Sequence, residues 1–194
     1  MSVKNFQVRL VDRSEITEFI ENWHYSKSIN GVKSSYCFGL YDDNKLIGAM
    51  LFGTVGMANA WKKYAENESE ILELRRLCCI EDTPKNTESY FIGKCLRYLK
   101  KETPIRYIVS YADTNHGHQG TIYKASNFEY KGMTKSGRVI MRLSDGKQYH
   151  DKTIRTYYKG KLKPFAQKIK DQLENGEAVY KKTTGKHIYF YKLK

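Results

Sequence analysis

Histidine and carboxylate side chains stand at points of the chain where predicted elements end. His24 follows the first predicted helix, Asp113 follows a predicted strand, and His116 lies in the loop beyond it. An imidazole and a carboxylate oxygen together suit non-haem iron, and Asp113 could also act as a base. The alternatives are a helix-end histidine bonded to backbone, a solvated loop carrying His116 and His118, and an aspartate that caps the next helix.

A pair of arginines could bind an anion. Arg75 and Arg76 lie in the middle of a predicted strand, and strand alternation predicts that they point to opposite faces of the sheet. Only one of them is then expected to reach a cleft, where it could clamp a carboxylate or phosphate with two parallel hydrogen bonds. The alternative is an arginine that pairs with Glu73 or Glu88.

The start of the second predicted helix offers another anion site. Lys85, Asn86 and Ser89 stand in a turn-rich stretch before an apolar helical stripe. Backbone N–H groups at a helix start attract anions, so we expect donor-binding groups here. Ser89 could instead only cap the helix.

Two strands and this helix must position these groups. The apolar patterns predict a strand over residues 72–80, a helix from about residue 90, and a second strand over 107–112. Ligands of open α/β sheets bind at the carboxyl ends of strands. The sequence therefore predicts a cleft between the carboxyl ends of these two strands.

The remaining elements complete an alternation of strands and helices. The patterns predict a strand at 6–11, a helix ending at His24, hairpins over 35–53, 128–143 and 179–192, and a helix beginning at Pro164. This order is that of the GNAT acyltransferase fold: an α/β class of the α+β type, with a mixed central sheet flanked by helices. We expect a GNAT-like catalytic domain over residues 1–145. Residues 146–194 are expected to form a basic, aromatic-rich segment packed on that domain or extending it.

Composition limits the class of protein. The chain has 194 residues, 40% of them hydrophobic, which is enough for one well-packed domain. No run of apolar residues reaches the length of a membrane span, and the amino terminus lacks a signal-peptide pattern, so we expect an intracellular protein without membrane contact. Four cysteines lack metal-binding spacing and are expected to be buried thiols.

Positive charge concentrates near the carboxyl end. The net charge is +13, and residues 146–194 hold 13 Lys and Arg against 4 Asp and Glu, a net of +9. Basic residues alternate there with aromatic ones, a composition that suits phosphate contact and base stacking. We expect Lys159, Lys161 and Lys163 to bind DNA through its phosphates. The alternative is a charged surface that only keeps the protein soluble.

Four blocks in one order resemble the Mom DNA-modification family, named for a protein of phage Mu. The His-Tyr pair at residues 24–25 also fits the family pattern, whereas the chain beyond about residue 145 is not covered. The blocks are Glu73-Leu74-Arg75-Arg76-Leu77, Pro84 with Asn86 to Gly93, Val109-Ser110-Tyr111-Ala112-Asp113, and Gly120 to Asn127.

The resemblance implies an enzyme that modifies adenine at its exocyclic N6 in double-stranded DNA and so protects phage DNA from host restriction. The resemblance further implies transfer of a carbamoylmethyl-type group and a requirement for iron, for which His24, Asp113 and His116 are the candidate ligands here. The implied partners are double-stranded DNA and a small-molecule donor, and the implied location is the host cytoplasm. A homodimer is left open.

Two roles at the cleft follow from the resemblance. It favours Arg76 over Arg75 as the clamp for a donor carboxylate or phosphate, with Ser89 beside it. Tyr25 and Tyr123 could stack on an extruded adenine, because an enzyme that acts on a base must flip it out of the duplex. The alternative is that both tyrosines belong to the edge of the core.

One departure from GNAT enzymes concerns the donor. These enzymes usually hold the coenzyme A pyrophosphate in a glycine-rich turn, whereas residues 81–89 contain no glycine and three carboxylates. This departure counts against ordinary acetyl-coenzyme A binding, so the donor is left open between acetyl-coenzyme A and another small molecule. Two alternative functions remain: a DNA-binding module without catalysis, which the missing glycines favour, and an ordinary N-acetyltransferase, which the missing glycines and the basic tail both disfavour.

Overall fold

The computed structural model describes residues 3–194, which divide into two compact units. The first contains the chain up to Gly132 together with His187–Lys194, and the second is Met133–Lys186. The strands are β1 (Gln7–Val11), β2 (Tyr36–Asp42), β3 (Lys45–Gly53), β4 (Ile71–Cys79), β5 (Tyr107–Asp113), β6 (Glu129–Met133), β7 (Gly137–Arg142), β8 (Gln148–His150), β9 (Ala178–Thr183) and β10 (Lys186–Lys192). The α-helices are α1 (Arg13–Trp23), α2 (Thr87–Glu102), α3 (Thr121–Lys124) and α4 (Pro164–Glu174).

A mixed seven-stranded sheet forms the first unit, with the order β1-β2-β3-β4-β5-β10-β6. β1 to β4 pair antiparallel in sequence, and β4 and β5 pair parallel across the α2 crossover. Helix α1 begins where the Glu15 carboxylate accepts the backbone N–H of Asp12 at 2.8 Å. The central mixed sheet flanked by helices confirms the predicted fold class.

Two helices cover this sheet from opposite faces. Ile16 and Ile20 of α1 pack with Leu51 of β3, and Phe91 of α2 packs in a different cluster with Phe52. Successive strand residues point to opposite faces, so Leu51 and Phe52 assign the two helices to the two faces. Among residues 3–194, no helix has both the length and the apolar character that a membrane span requires. Cys37, Cys78 and Cys95 are buried free thiols as predicted, and Cys79 is half-buried.

The second unit has its own sheet and core. Its three strands lie in the order β8-β7-β9, and α4 packs Ile169 against Ile140 and Ala178. The boundary predicted after residue 145 lies within this unit, between β7 and β8, and β10 belongs to the first unit's sheet.

Two predicted hairpins are wrong, although each of their strands exists. β6 and β7 belong to different sheets, and so do β9 and β10. β7 pairs instead with β8 and β9, with Ile140 opposite both Tyr149 and Tyr180. Local alternation predicts that a segment is a strand, but the partner is chosen by packing between distant segments.

Candidate active site

The central feature of the site is a fork between two parallel strands. β4 and β5 pair from Ile71 opposite Tyr107 to Leu74 opposite Ser110. Beyond that point both strands continue, but the register of β4 with β5 ends, so the strands separate towards their carboxyl ends. The Ser110 hydroxyl donates to the Leu74 carbonyl at 3.1 Å at the point of separation. The pairing thus ends where the sequence predicts a cleft, and the cleft itself stays a prediction.

A β-bulge in β4 places both arginines on one face. Leu74 and Leu77 both pack into the core cluster that α2 covers, although three positions separate them. In a regular strand two residues on the same face are separated by an even number of positions, so this spacing requires one extra residue in β4. The extra residue is Arg75, because Leu74 and Arg76 pair with two consecutive residues of β3 and Arg75 has no partner in that register. Arg75 and Arg76 therefore project from the face opposite to α2. The prediction that they point to opposite faces is wrong, because the bulge interrupts the alternation.

The two arginines have different partners. The Arg75 Nε lies 3.4 Å from the Glu73 Oε1, so the alternative of an arginine paired with Glu73 describes Arg75. Arg76 donates from Nε to the Ser28 carbonyl at 3.2 Å and from Nη1 to the Arg75 carbonyl at 2.8 Å. Within residues 3–194 no carboxylate forms an ion pair with Arg76. A guanidinium has five N–H groups, so Arg76 retains donors for an anion.

Tyr25 lies among three imidazole rings. Its ring centroid is 4.2 Å from that of His24, 4.5 Å from that of His116 and 4.8 Å from that of His118. His24 follows the end of α1, whereas His116 and His118 lie in the loop after β5. The tertiary fold therefore brings these two segments together. Tyr25 is 43% exposed, and it interacts electrostatically with the half-buried Arg76. These five residues are called the fork cluster below.

His24 is held as a neutral imidazole. It is 5% exposed, and Nδ1 accepts the backbone N–H of Ser26 at 3.1 Å. Because a backbone amide can only donate, the proton of the neutral ring lies on Nε2. Burial, and after it the charges of Arg76, His118 and His116, together lower the pKa of His24 to about 4. The alternative of a helix-end histidine bonded to backbone is the one observed.

The residues predicted to bind iron do not fit such a site. Among residues 3–194 no three His, Cys, Asp or Glu side chains form a group that could hold a metal ion. The Asp113 Oδ1 accepts both the backbone N–H and the side-chain amide of Asn115, at 3.1 and 2.9 Å, so it caps the following turn. His24 and His116 both contact Tyr25 rather than a shared position. The ligand set His24, Asp113 and His116 is therefore not supported.

Tyr123 is a core residue. It is 9% exposed and its ring packs 5.6 Å from that of Phe128 and 5.2 Å from that of Tyr189. Burial raises the pKa of Tyr123 to about 12, and its hydroxyl hydrogen-bonds to Ser110 at the fork. A base could not stack on this buried ring, so that prediction is wrong, and the core alternative is correct.

No side chain of the described residues caps the start of α2. The Ser89 hydroxyl donates to the Asn86 carbonyl at 3.0 Å, and Asn86 adopts a left-handed conformation as the N-cap. Asn86 and Lys85 are exposed. Backbone amides in the first turn of a helix have no intrahelical acceptor, so this end can still attract an anion.

Lys159, Lys161 and Lys163 are exposed in the second unit. The Lys159 Nζ lies 5.7 Å from the centre of the Tyr158 ring. Their role in DNA binding stays a prediction.

One residue of the fork cluster, His118, is not predicted from the sequence to be a site residue. The sequence favours a solvated loop for His118, yet its ring contacts the same tyrosine ring as His116. Gly117 between them has φ 74, and this left-handed residue turns the loop. The His-Gly-His spacing after a strand end was the available signal.

Comparison with known proteins identifies relatives of the chain. The profile of the Mom protein family matches residues 5–194. The methylcarbamoylase mom of Escherichia phage Mu is 30% identical over 145 residues, which cover 73% of this chain. The chain spans 58% of the length of that relative.

Solved structures with the same fold are acetyltransferases. A mutant of the spermidine N-acetyltransferase SpeG from Vibrio cholerae aligns with a TM-score of 0.53 at 10% identity, covering 98% of this chain and 95% of that one. An N-acetyltransferase from Staphylococcus aureus Mu50 has a TM-score of 0.53 at 12% identity, with 98% and 99% covered. An aminoglycoside acetyltransferase in complex with coenzyme A has a TM-score of 0.50 at 12% identity, with 67% and 87% covered. At such identities the likeness shows a shared fold.

Proposed function

The chain belongs to the Mom protein family, and from this membership we propose that it is a transferase that modifies DNA. The proposed reaction adds a small carbamoylmethyl or other acyl-type group to the exocyclic N6 of adenine in double-stranded DNA. The product would protect phage DNA from restriction in the host cytoplasm. The name of the Mu relative and the acetyltransferase fold support group transfer.

The observation that carries the proposal is the fork cluster at the end of β4 and β5. It combines a desolvated arginine, a half-exposed aromatic ring and three imidazoles beside an opening between strands. Burial lowers the pKa of Arg76, because the charged form has lost solvent, and an anion placed there would replace that solvation. We assign Arg76 to hold a carboxylate or phosphate of the donor.

The fork also offers backbone donors for a reacting carbonyl. β4 after Leu74 pairs with β3 on one side, and its register with β5 has ended on the other. Amides that face an opening of this kind can stabilise negative charge that develops on a carbonyl oxygen. We place the reacting group of the donor here, with the start of α2 near Lys85 and Asn86 as the site for a donor phosphate. We propose acetyl-coenzyme A or another small acyl-type molecule as the donor; the complex of a structural neighbour with coenzyme A supports this proposal.

We assign Tyr25 to stack on the adenine that accepts the transferred group. An adenine must leave the duplex before its N6 can react, and an extruded base stacks on an exposed aromatic ring. In the reaction N6 forms a bond to the transferred carbon, the leaving group departs with the bonding electron pair, and N6 loses one proton. Histidine is the usual acceptor of a proton near neutral pH, and His116 and His118 stand beside Tyr25. His24 carries its proton on Nε2, and we assign it the role of holding the Tyr25 ring in place.

The direct test is mass spectrometry of nucleosides from plasmid DNA after expression of the protein. We expect a new adenosine adduct with the native chain and a large loss with Arg76→Lys. Arg97→Lys is the matched control, because Arg97 is an exposed arginine on α2 outside the cluster. Unmodified DNA, together with tight DNA binding by folded protein, would instead favour a binding module without catalysis.

A further inference from the structure

The second unit exposes aromatic rings that its own core does not use. Tyr157, Tyr158 and Phe165 are 58%, 65% and 58% exposed. Tyr158 has only the flexible Lys159 side chain near its ring, with Nζ 5.7 Å from the ring centre, whereas the less exposed Tyr180 lies beneath the Arg138 guanidinium at 4.0 Å. Exposed apolar surface that is contiguous and rimmed by polar residues marks interaction sites.

Tyr158 stands on a rigid turn. Its backbone N–H donates to the Lys161 carbonyl at 2.8 Å, and the Lys161 N–H donates back at 3.1 Å. Between them Lys159 and Gly160 have φ 49 and 75, as in the type I′ turn of a two-residue hairpin. Asparagine is the residue usually found in the position of Lys159. A lysine rarely adopts this left-handed conformation, so the chain keeps a cation at the tip of the hairpin although its backbone conformation there is unfavourable.

The charge around this hairpin is not neutralised. The second unit contains 14 Lys and Arg against 5 Asp and Glu, a net of +9. Its three arginines are all used in ion pairs with Asp145 or Asp151. In the described chain, by contrast, Lys159, Lys161 and Lys163 form no ion pair with a carboxylate. The hairpin therefore presents cations and rings together to an anionic partner.

We propose that the hairpin of residues 157–163 is a nucleobase-stacking site, in which Tyr158 stacks on an unpaired base of DNA and the lysines contact the adjacent phosphates. The inference rests on the proposed function and specifies the state of the DNA that is bound. Phosphate contact alone does not explain the rings, because a paired duplex hides the faces of its bases. A base becomes available in single-stranded DNA, or when its partner has been extruded.

The test compares two DNA forms on the full-length protein by fluorescence anisotropy, with one labelled 20-nucleotide single strand and the fully paired duplex of the same sequence. We expect Tyr158→Ala to weaken binding of the single strand roughly 5- to 150-fold, the range for loss of one stacked base. Duplex affinity should change by less than about 2-fold, and the salt dependence should stay the same, since no phosphate contact is lost. Tyr158→Phe keeps the ring and should bind like the native chain. Tyr180→Ala is the control, because an arginine covers that ring.

Three results would overturn the inference: equal losses on single strand and duplex, native affinity of Tyr158→Ala for the single strand, or no binding of the single strand by the native protein. Adduct formation is measured separately. If the native protein modifies DNA while Tyr158→Ala binds the single strand normally, only the stacking site is refuted. If the native protein leaves DNA unmodified, the proposed function fails, and the anisotropy data still decide the stacking site.

Discussion

The backbone N–H of Ser26 donates to the Nδ1 of His24 over 3.1 Å. This bond assigns the proton of the neutral ring to Nε2, and burial lowers the pKa of His24 to about 4. The Ser26 hydroxyl lies 2.8 Å from the same nitrogen and 3.1 Å from the Ser28 carbonyl. Arg76 bonds to that same carbonyl, so a short backbone segment connects the histidine to the arginine.

The lowered pKa of His24 predicts that stability falls in acid. An unfolded histidine binds a proton near pH 6.5, whereas the folded chain resists protonation until about pH 4. The unfolded state therefore binds more protons in this interval, and stability decreases as the pH falls from 6.5 to 4. The full effect is about 3 kcal/mol in the free energy of unfolding. Urea denaturation at several pH values measures it.

The control for this prediction is His24→Gln, which cannot gain a charge. The difference in stability between variant and native chain should change with pH over this interval, because contributions from other groups cancel in the difference. A constant difference between pH 6.5 and 4 would show that His24 titrates normally.

Arg76→Lys should lower the rate of modification by about 10- to 100-fold. Lysine keeps the charge but loses the planar array of donors, and a hydrogen bond to a charged group contributes about 1.5–3 kcal/mol. DNA affinity should stay within about 2-fold of the native value, since the proposed ligand is the donor. Adduct yield and anisotropy on the same preparation measure the two quantities. If both fell together, Arg76 would belong to DNA contact or folding.

Tyr25→Ala should reduce modification more than Tyr25→Phe. The proposed role needs a ring on which adenine can stack, and such a ring contributes about 1–3 kcal/mol per base. Phenylalanine keeps the ring, so Tyr25→Phe should retain most of the activity and serves as the matched control. Equal loss in both variants would assign the function to the hydroxyl instead.

The three hairpin lysines should contribute to DNA affinity through phosphates. Replacing Lys159, Lys161 and Lys163 together by glutamine should weaken binding to all duplex sequences and flatten the slope of log affinity against log salt by roughly 3 units. Lys159→Asn alone suits the type I′ turn and should flatten it by about 1 unit without loss of stability. An unchanged slope in the triple variant would assign these lysines to solubility.

Local sequence determined the elements that frame the site. Three local patterns, each a few residues long, predict these elements and the place where a cleft is expected. They are the alternation in β4, the polar turn before α2 and the apolar run of β5. Asp113 follows the same logic, because a cap bonds to backbone groups within three residues of it, and the capping alternative for Asp113 is the one observed. Ser89 bonds locally as well, but its hydroxyl donates to the Asn86 carbonyl and does not cap the helix.

Only the tertiary structure decided which side chains meet. The bulge that turns Arg75 and Arg76 to one face arises from pairing with β3, a long-range contact that alternation within β4 does not contain. Tyr25 and His116 touch because the end of α1 and the loop after β5 reach one end of the sheet. β6 and β10 join the main sheet, whereas β7 and β9 form another, since strands of similar pattern compete for partners and packing selects among them.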